Sequence, residues 1–294
     1  MKHNWNTTIL LLSLFLLSQV FGLFMISSSV SIIEIDGEEQ VGFSPTAIGE
    51  RPESQGLETL VILIFGVGIG TLLLLYLAKK NKVNLWKAWF FLAGFLTISI
   101  SLGVFLPVNI AYLFALGLVG LRFYYPNVFI ININEILMYS GLAIFLTPLL
   151  DVTTMIIILF LVSVYDMYAV WKSKHMITMA RFTAQNNVFP GLNVSTKSSQ
   201  LKETSKKSAG KKSMAIIGGG DVVFPLLFAG TLLIELIGRG YSKAIAFQIS
   251  SVISIFAVAS LVVLFYFSKK DKFYPAMPFI SAGVIIGYLA VLLI

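Results

Sequence analysis

The chain of 294 residues contains no cysteine and only two histidines, His3 and His175. Disulfide frameworks, zinc–thiolate sites and cysteine nucleophiles are therefore excluded, and a histidine-rich metal site has little to form from. No metal or cofactor is expected. Charge is also scarce. Charged residues make up 12% of the sequence, against roughly 25% in soluble domains. Apolar residues make up 57% and mean hydropathy is +0.89. A soluble globule of this composition has too little polar surface to stay in solution, and a disordered chain is excluded for the same reason. The net charge of +7 belongs to the loops and is not a nucleic-acid signal, so no nucleic-acid partner is expected.

What the chain has instead is apolar stretches long enough to cross ~30 Å of hydrocarbon. Nine can be placed, near residues 5–26, 57–78, 85–106, 108–124, 127–147, 150–171, 214–237, 243–268 and 275–294. The expected fold is all-α, a polytopic membrane protein with nine transmembrane helices. Its partners are the lipid bilayer and what lies in it, and homo-oligomerisation is compatible with the sequence. The first stretch follows Lys2 and is also a candidate secretory signal. It is long for that role, and Ile26-Ser27-Ser28-Ser29 is a poor cleavage site.

Lysine and arginine concentrate on the cytoplasmic side of membrane proteins. With the N-terminus inside, the outward gaps carry only Arg51, Arg239 and Lys243, and the other eighteen basic residues lie inside. The first outward loop is acidic, with Glu34, Asp36, Glu38, Glu39, Glu50 and Glu53. This asymmetry places the C-terminus outside. The longest hydrophilic stretch, 172–213, divides the chain into a six-span part, 1–171, and a three-span part, 214–294. Within it, Lys174–Phe182 alternates basic and apolar residues, as does a helix lying on the membrane surface. Ser195–Ser213 is mostly Ser and Lys and is expected to be disordered.

Ionisable side chains inside a span cost ~2.5–3.5 kcal/mol on insertion scales and mark function by default. Four acids qualify: Glu135, Asp166, Asp221 and Glu235. Counting helix rise, Asp166 lies ~9 Å and Asp221 ~12 Å from the cytoplasmic face, on antiparallel neighbours at one level. Glu235, near the outer face beside Arg239, reads as an interfacial anchor. Glu135, among Asn132 and Asn134, reads as part of a structural hydrogen-bonded cluster. Two carboxyls a few ångströms apart in low dielectric cannot both ionise, so such a pair holds one proton between them. The ionised member can then activate water while the protonated one polarises an amide carbonyl. The same pair suits a proton-coupled carrier or a cation leak channel, and geometry alone leaves hydrolase and carrier even.

The neighbouring residues separate the two. Asp166 sits in Tyr165-Asp166, on the sixth span. Asp221 ends Gly218-Gly219-Gly220-Asp221 and opens the seventh, with Pro225 four residues on. The ninth begins Pro275-Ala276-Met277-Pro278. Tyr-Asp, Gly-x-Gly-Asp and a variant of Pro-Ala-Leu, in that order on those spans, resemble the presenilin and signal peptide peptidase family of intramembrane aspartyl proteases. Lys174-His175-Met176 is similar to archaeal members. The resemblance implies an aspartic endopeptidase acting on transmembrane-helix substrates, with Asp166 and Asp221 catalytic. It implies an active-site supporting role for Pro275, Ala276 and Met277. Met277 replaces the family's Leu with a side chain of similar length. Gly219 stands where the family often has a larger apolar residue thought to touch substrate. The three glycines lack Cβ atoms, so a substrate backbone can approach closely. Tyr165 is a candidate hydrogen-bonding partner near the pair. Prepilin-type peptidases also use a Gly-x-Gly-Asp aspartate but lack this arrangement of spans and motifs.

Other features have simpler readings. Gly66, Gly68 and Gly70 resemble a nucleotide loop only superficially and are expected to let helices pack closely. Asp151 is expected to cap the sixth helix. Trp86, Trp89 and Trp171 lie at span ends, where aromatic belts form.

Overall fold

The computed structural model describes residues 5–35, 38–43, 45–52, 54, 56–80, 82–172, 189–196, 213–268 and 274–293. Among these, nine α-helices run in the order expected. They are α1 (Trp5–Ser29), α2 (Leu57–Lys79), α3 (Val83–Leu102), α4 (Val108–Tyr124), α5 (Val128–Leu146), α6 (Val152–Met167), α7 (Gly219–Gly238), α8 (Lys243–Phe267) and α9 (Met277–Leu292). A π-turn, Tyr168–Lys172, extends α6. Seven of these spans are long and apolar enough to cross a membrane. With 17 and 16 residues, α4 and α9 reach only ~26 and ~24 Å. The chain is a polytopic helical membrane protein.

Local residues set the helix starts. Asp151 caps α6 as expected, its carboxylate accepting from the Thr154 N–H at 2.8 Å and the Thr154 hydroxyl at 2.7 Å. Asn127 caps α5, accepting from the Phe129 N–H at 3.1 Å. In both cases a short polar side chain satisfies an N–H that the helix leaves open.

Two β-hairpins were not foreseen. β1 (Val30–Ile35) pairs antiparallel with β2 (Glu38–Phe43) in the connection between α1 and α2. Asp36-Gly37 between two strand-like runs is the sequence signal for it. β3 (Gly191–Thr196) pairs antiparallel with β4 (Ser213–Gly218). This second hairpin corrects two expectations. The seventh helix begins at Gly219 and not near 214, so the helical depth count for Asp221 does not apply. Ser195, Thr196 and Ser213, expected in a disordered stretch, are strand residues. The cause is local: the glycines 218–220, each costing roughly 1 kcal/mol in a helix interior, disfavour carrying the helix upstream, so it starts at Gly219 and leaves the β-branched pair Ile216-Ile217 in the strand. The rest of that loop, including Lys174–Phe182, lies outside the described residues.

α7 is the central helix, buried on nearly all sides from Val222 to Ile237. Around it pack α1, α5, α6, α8 and α9. α3 and α4 form a second layer against α5, with Ile98, Ala115 and Val119 at its core. The α3–α5 approach is close enough that a Cβ at Gly141 would lie 1.7 Å from the Thr97 carbonyl oxygen. By contrast, among the described residues no atom comes within 4 Å of a Cβ placed at Gly66, Gly68 or Gly70. The expected close packing at those glycines is absent, because α2 lies at the rim and turns them away from other helices.

Candidate active site

Asp166 lies on the last turn of α6 and is 5% exposed. Its Oδ2 accepts from the Met277 N–H at 3.1 Å, and the Ala276 N–H acts electrostatically on the same carboxylate. The proline pattern explains the arrangement. Pro275 and Pro278 have no N–H, so Ala276 and Met277 present the donors at the start of α9. A carboxylate at a helix N-terminus is held by open N–H groups and by the helix dipole. Next to this contact, the Ser163 hydroxyl donates to the Leu159 carbonyl and lies 2.8 Å from the Ser281 hydroxyl, joining α6 to α9. Met277 is itself buried.

Asp221 lies in the first turn of α7. The Gly218 N–H acts electrostatically on its carboxylate. The Asp166 carboxyl is close enough to act on it electrostatically. Pro225 lies inside α7 and removes the N–H that would bond the Asp221 carbonyl. The weakened first turn is stitched from α1, where fully buried Gln19 donates to the Val222 carbonyl at 2.7 Å. Of the expected site residues, Asp166, Asp221, Gly218, Pro275, Ala276 and Met277 thus converge. Gly220 is exposed beside Asp221, and Gly219 packs against Tyr139 of α5. Tyr165 lies on an exposed face of α6.

Glu135 is fully buried, but its partner is not the expected asparagine cluster. It forms an ion pair with Arg122 of α4. The Arg122 guanidinium also lies 4.4 Å from the centroid of the Phe90 ring and donates to the Phe189 carbonyl at 3.3 Å. Asn134 bonds the Ile130 carbonyl of its own helix. Asn132 binds Asn193 of β3 instead. The Asn193 N–H donates to Asn132 Oδ1 at 2.8 Å, and Asn132 Nδ2 donates to the Asn193 carbonyl at 2.8 Å. The side-chain amide imitates a neighbouring strand.

This contact orients the sheet. Alternate residues of an antiparallel strand turn both backbone groups to the same side. Asn193 turns its groups to α5, and the Gly191 N–H reaches Glu135. Their opposite residues on β4 are Ile216 and Gly218, whose backbone groups therefore face away from β3. Among the described residues no third strand covers that edge, and it leads into the glycines that precede Asp221.

A helical membrane bundle that brings two carboxylates together at the ends of two helices is the architecture of an intramembrane aspartyl protease. The sequence matches the family described as signal-peptide peptidase, presenilin aspartyl protease, over residues 12–294. The chain belongs to this family and is an intramembrane aspartyl protease. Two solved structures of a presenilin family intramembrane aspartate protease share the fold. The one in the P2 space group is 17% identical, with a TM-score of 0.64 and 99% of each chain covered. The one in the C222 space group is 16% identical, with a TM-score of 0.58 and 96% of this chain and 94% of that one covered. No curated protein matches the sequence significantly. The carrier and channel readings draw no support from the family or from these structures.

Proposed function

We propose that Asp166 and Asp221 are the catalytic pair, hydrolysing peptide bonds within transmembrane helices. The observation that carries this reading is the Asp166 carboxylate held by the Met277 N–H at the start of α9 while acting electrostatically on Asp221. One proton is shared between the pair. The ionised carboxylate takes a proton from water as the water oxygen bonds to the substrate carbonyl carbon. The protonated carboxyl donates to the carbonyl oxygen. Collapse breaks the C–N bond: the pair passes its proton to the leaving amine, and a hydroxyl of the tetrahedral diol returns a proton to the pair as the new carboxylic acid forms. The pair is left with one proton, and no cofactor enters the cycle.

A substrate helix must unwind before its amides are accessible. The open edge of β4 supports strand addition, in which backbone hydrogen bonds to Met214 and Ile216 carry the unwound segment toward Asp221. Unwound backbone at membrane depth is tolerated only where protein satisfies it. Residues 1–171 then supply the Tyr-Asp helix and the α5 support, 172–213 the cytoplasmic connection, and 214–294 the second aspartate and the α9 donors.

The proposal is tested with purified protein and a fluorescent single-span peptide. Internal cleavage that a transition-state isostere blocks is expected. Solute uptake without cleavage would contradict it. The rate should follow a bell-shaped pH profile, because doubly protonated and doubly ionised pairs are both inactive. A rate rising steadily to high pH would refute proton sharing.

Basic-residue asymmetry supports a cytoplasmic N-terminus and external C-terminus. A reporter at the C-terminus should read external and one inserted at Ser205 cytoplasmic. The inverse readings would invert the protein. With this orientation, substrates with an external N-terminus are favoured, and one fragment is released to the cytoplasm.

Thr196 and Ser213 stand opposite each other across the hairpin. Residues 197–212 should therefore be replaceable by a glycine-containing linker of about 3–5 residues, with most cleavage retained. Loss of cleavage in a folded variant would give this segment a role in substrate access.

A further inference from the structure

Position 219 lies two residues before Asp221, and α5 determines what a side chain there would meet. A Cβ at Gly219 would stand 2.8 Å from the Tyr139 hydroxyl oxygen and within 3.2 Å of two ring carbons. Tyr139 has little freedom to yield. It is 5% exposed and belongs to the main core. One turn earlier on the same helix face, Glu135 is fixed by its ion pair with Arg122. The Tyr139 hydroxyl has no hydrogen-bond partner among the described residues, and it lies within electrostatic reach of Glu135 and Asp221. The phenol thus occupies the volume that a side chain at 219 would take, and it packs on the backbone leading into Asp221.

We propose that Tyr139 is a positioning residue of the active site: its phenol seats Gly219, and so fixes the first turn of α7 that carries Asp221. The three glycines and Pro225 leave that turn with little rigidity of its own. Gln19 holds it from the α1 side at Val222, and Tyr139 holds it from the α5 side at Gly219. The large residue at 139 and the missing side chain at 219 are two halves of one packing solution. The inference rests on Asp221 being catalytic, as proposed above.

The test compares wild type with Tyr139→Phe, Tyr139→Ala, Gly219→Leu and the double variant Tyr139→Ala/Gly219→Leu, all on one fluorescent single-span peptide. Misplacing a catalytic group by about 1 Å costs up to about a hundredfold in rate. Tyr139→Ala and Gly219→Leu should each lower kcat by about tenfold or more on this basis, with KM little changed. The double variant should recover most of the loss, because Leu at 219 refills the volume vacated at 139. Tyr139→Phe keeps the ring and should keep most of kcat. A purely structural role predicts lower thermal stability with unchanged kcat per folded molecule, and that result would overturn the proposal. So would a double variant no better than the worse single one. If Tyr139→Ala does not fold, Tyr139→Leu with Gly219→Ala applies the same suppression test. Failure of the catalytic assignment itself is separate, since Asp221→Asn would then cleave normally whatever the Tyr139 variants do.

Discussion

Asp166→Asn and Asp221→Asn should each reduce cleavage by about a thousandfold or more while leaving the bundle folded. The magnitude follows from removing general acid–base catalysis, worth typically ~10²–10⁴-fold, in a mechanism where neither carboxyl works alone. Preservation of the fold follows from the geometry. An amide oxygen at position 166 can still accept from the Met277 N–H, which now bonds Asp166 at 3.1 Å. An amide oxygen at 221 can likewise face the Gly218 N–H, which now acts on the Asp221 carboxylate. Each substitution also replaces an ionisable carboxyl with a neutral amide in a low-dielectric site, so thermal stability should hold or rise. Activity near wild type in either variant would refute the paired assignment, whereas loss of the folded protein would make the acid structural.

The largest stability loss is expected from Arg122→Met. Arg122 and Glu135 are buried and paired. Removing the cation leaves an uncompensated carboxylate in the interior, which costs about 3–5 kcal/mol. The same substitution removes the bond to the Phe189 carbonyl and loosens the chain entering β3. The double variant Arg122→Met/Glu135→Leu should recover much of the loss, because apolar replacements of both partners are often neutral. Denaturation of the detergent-solubilised protein measures this. Equal stability of wild type and Arg122→Met would show that the pair does not carry the α4–α5 contact.

The helices and the convergent motifs were legible in the sequence because the bilayer makes polarity expensive. An acid in an apolar run stands out, as Asp166 and Asp221 do, and the nine apolar runs give nine helices among the described residues. The Asp151 cap was legible for a different reason, since its partner Thr154 is only three residues away. What supports the site was not legible, because its contacts are remote in the chain. Gln19 bonds a carbonyl 203 positions later, and Asn132 pairs with a strand 61 positions later. Glu135 is conspicuous as a buried acid, yet Arg122 counts among the loop cations because it stands near a span end. Most of β4 reads as helix in the sequence, since a short apolar run fits either state. That ambiguity hides the sheet edge proposed above to pair with an unwound substrate.

Asp166 and Asp221 are proposed to act as one unit on a peptide bond inside the membrane. Mass spectrometry of products from a single-span peptide incubated in ¹⁸O-water tests it most directly. The predicted result is a cut within the cytoplasmic half of the span, with ¹⁸O incorporated into the new carboxylate. Wild type should give these products, and neither aspartate variant should. Cleavage only in the extramembrane flanks, or the same internal products from an aspartate variant, would contradict the claim.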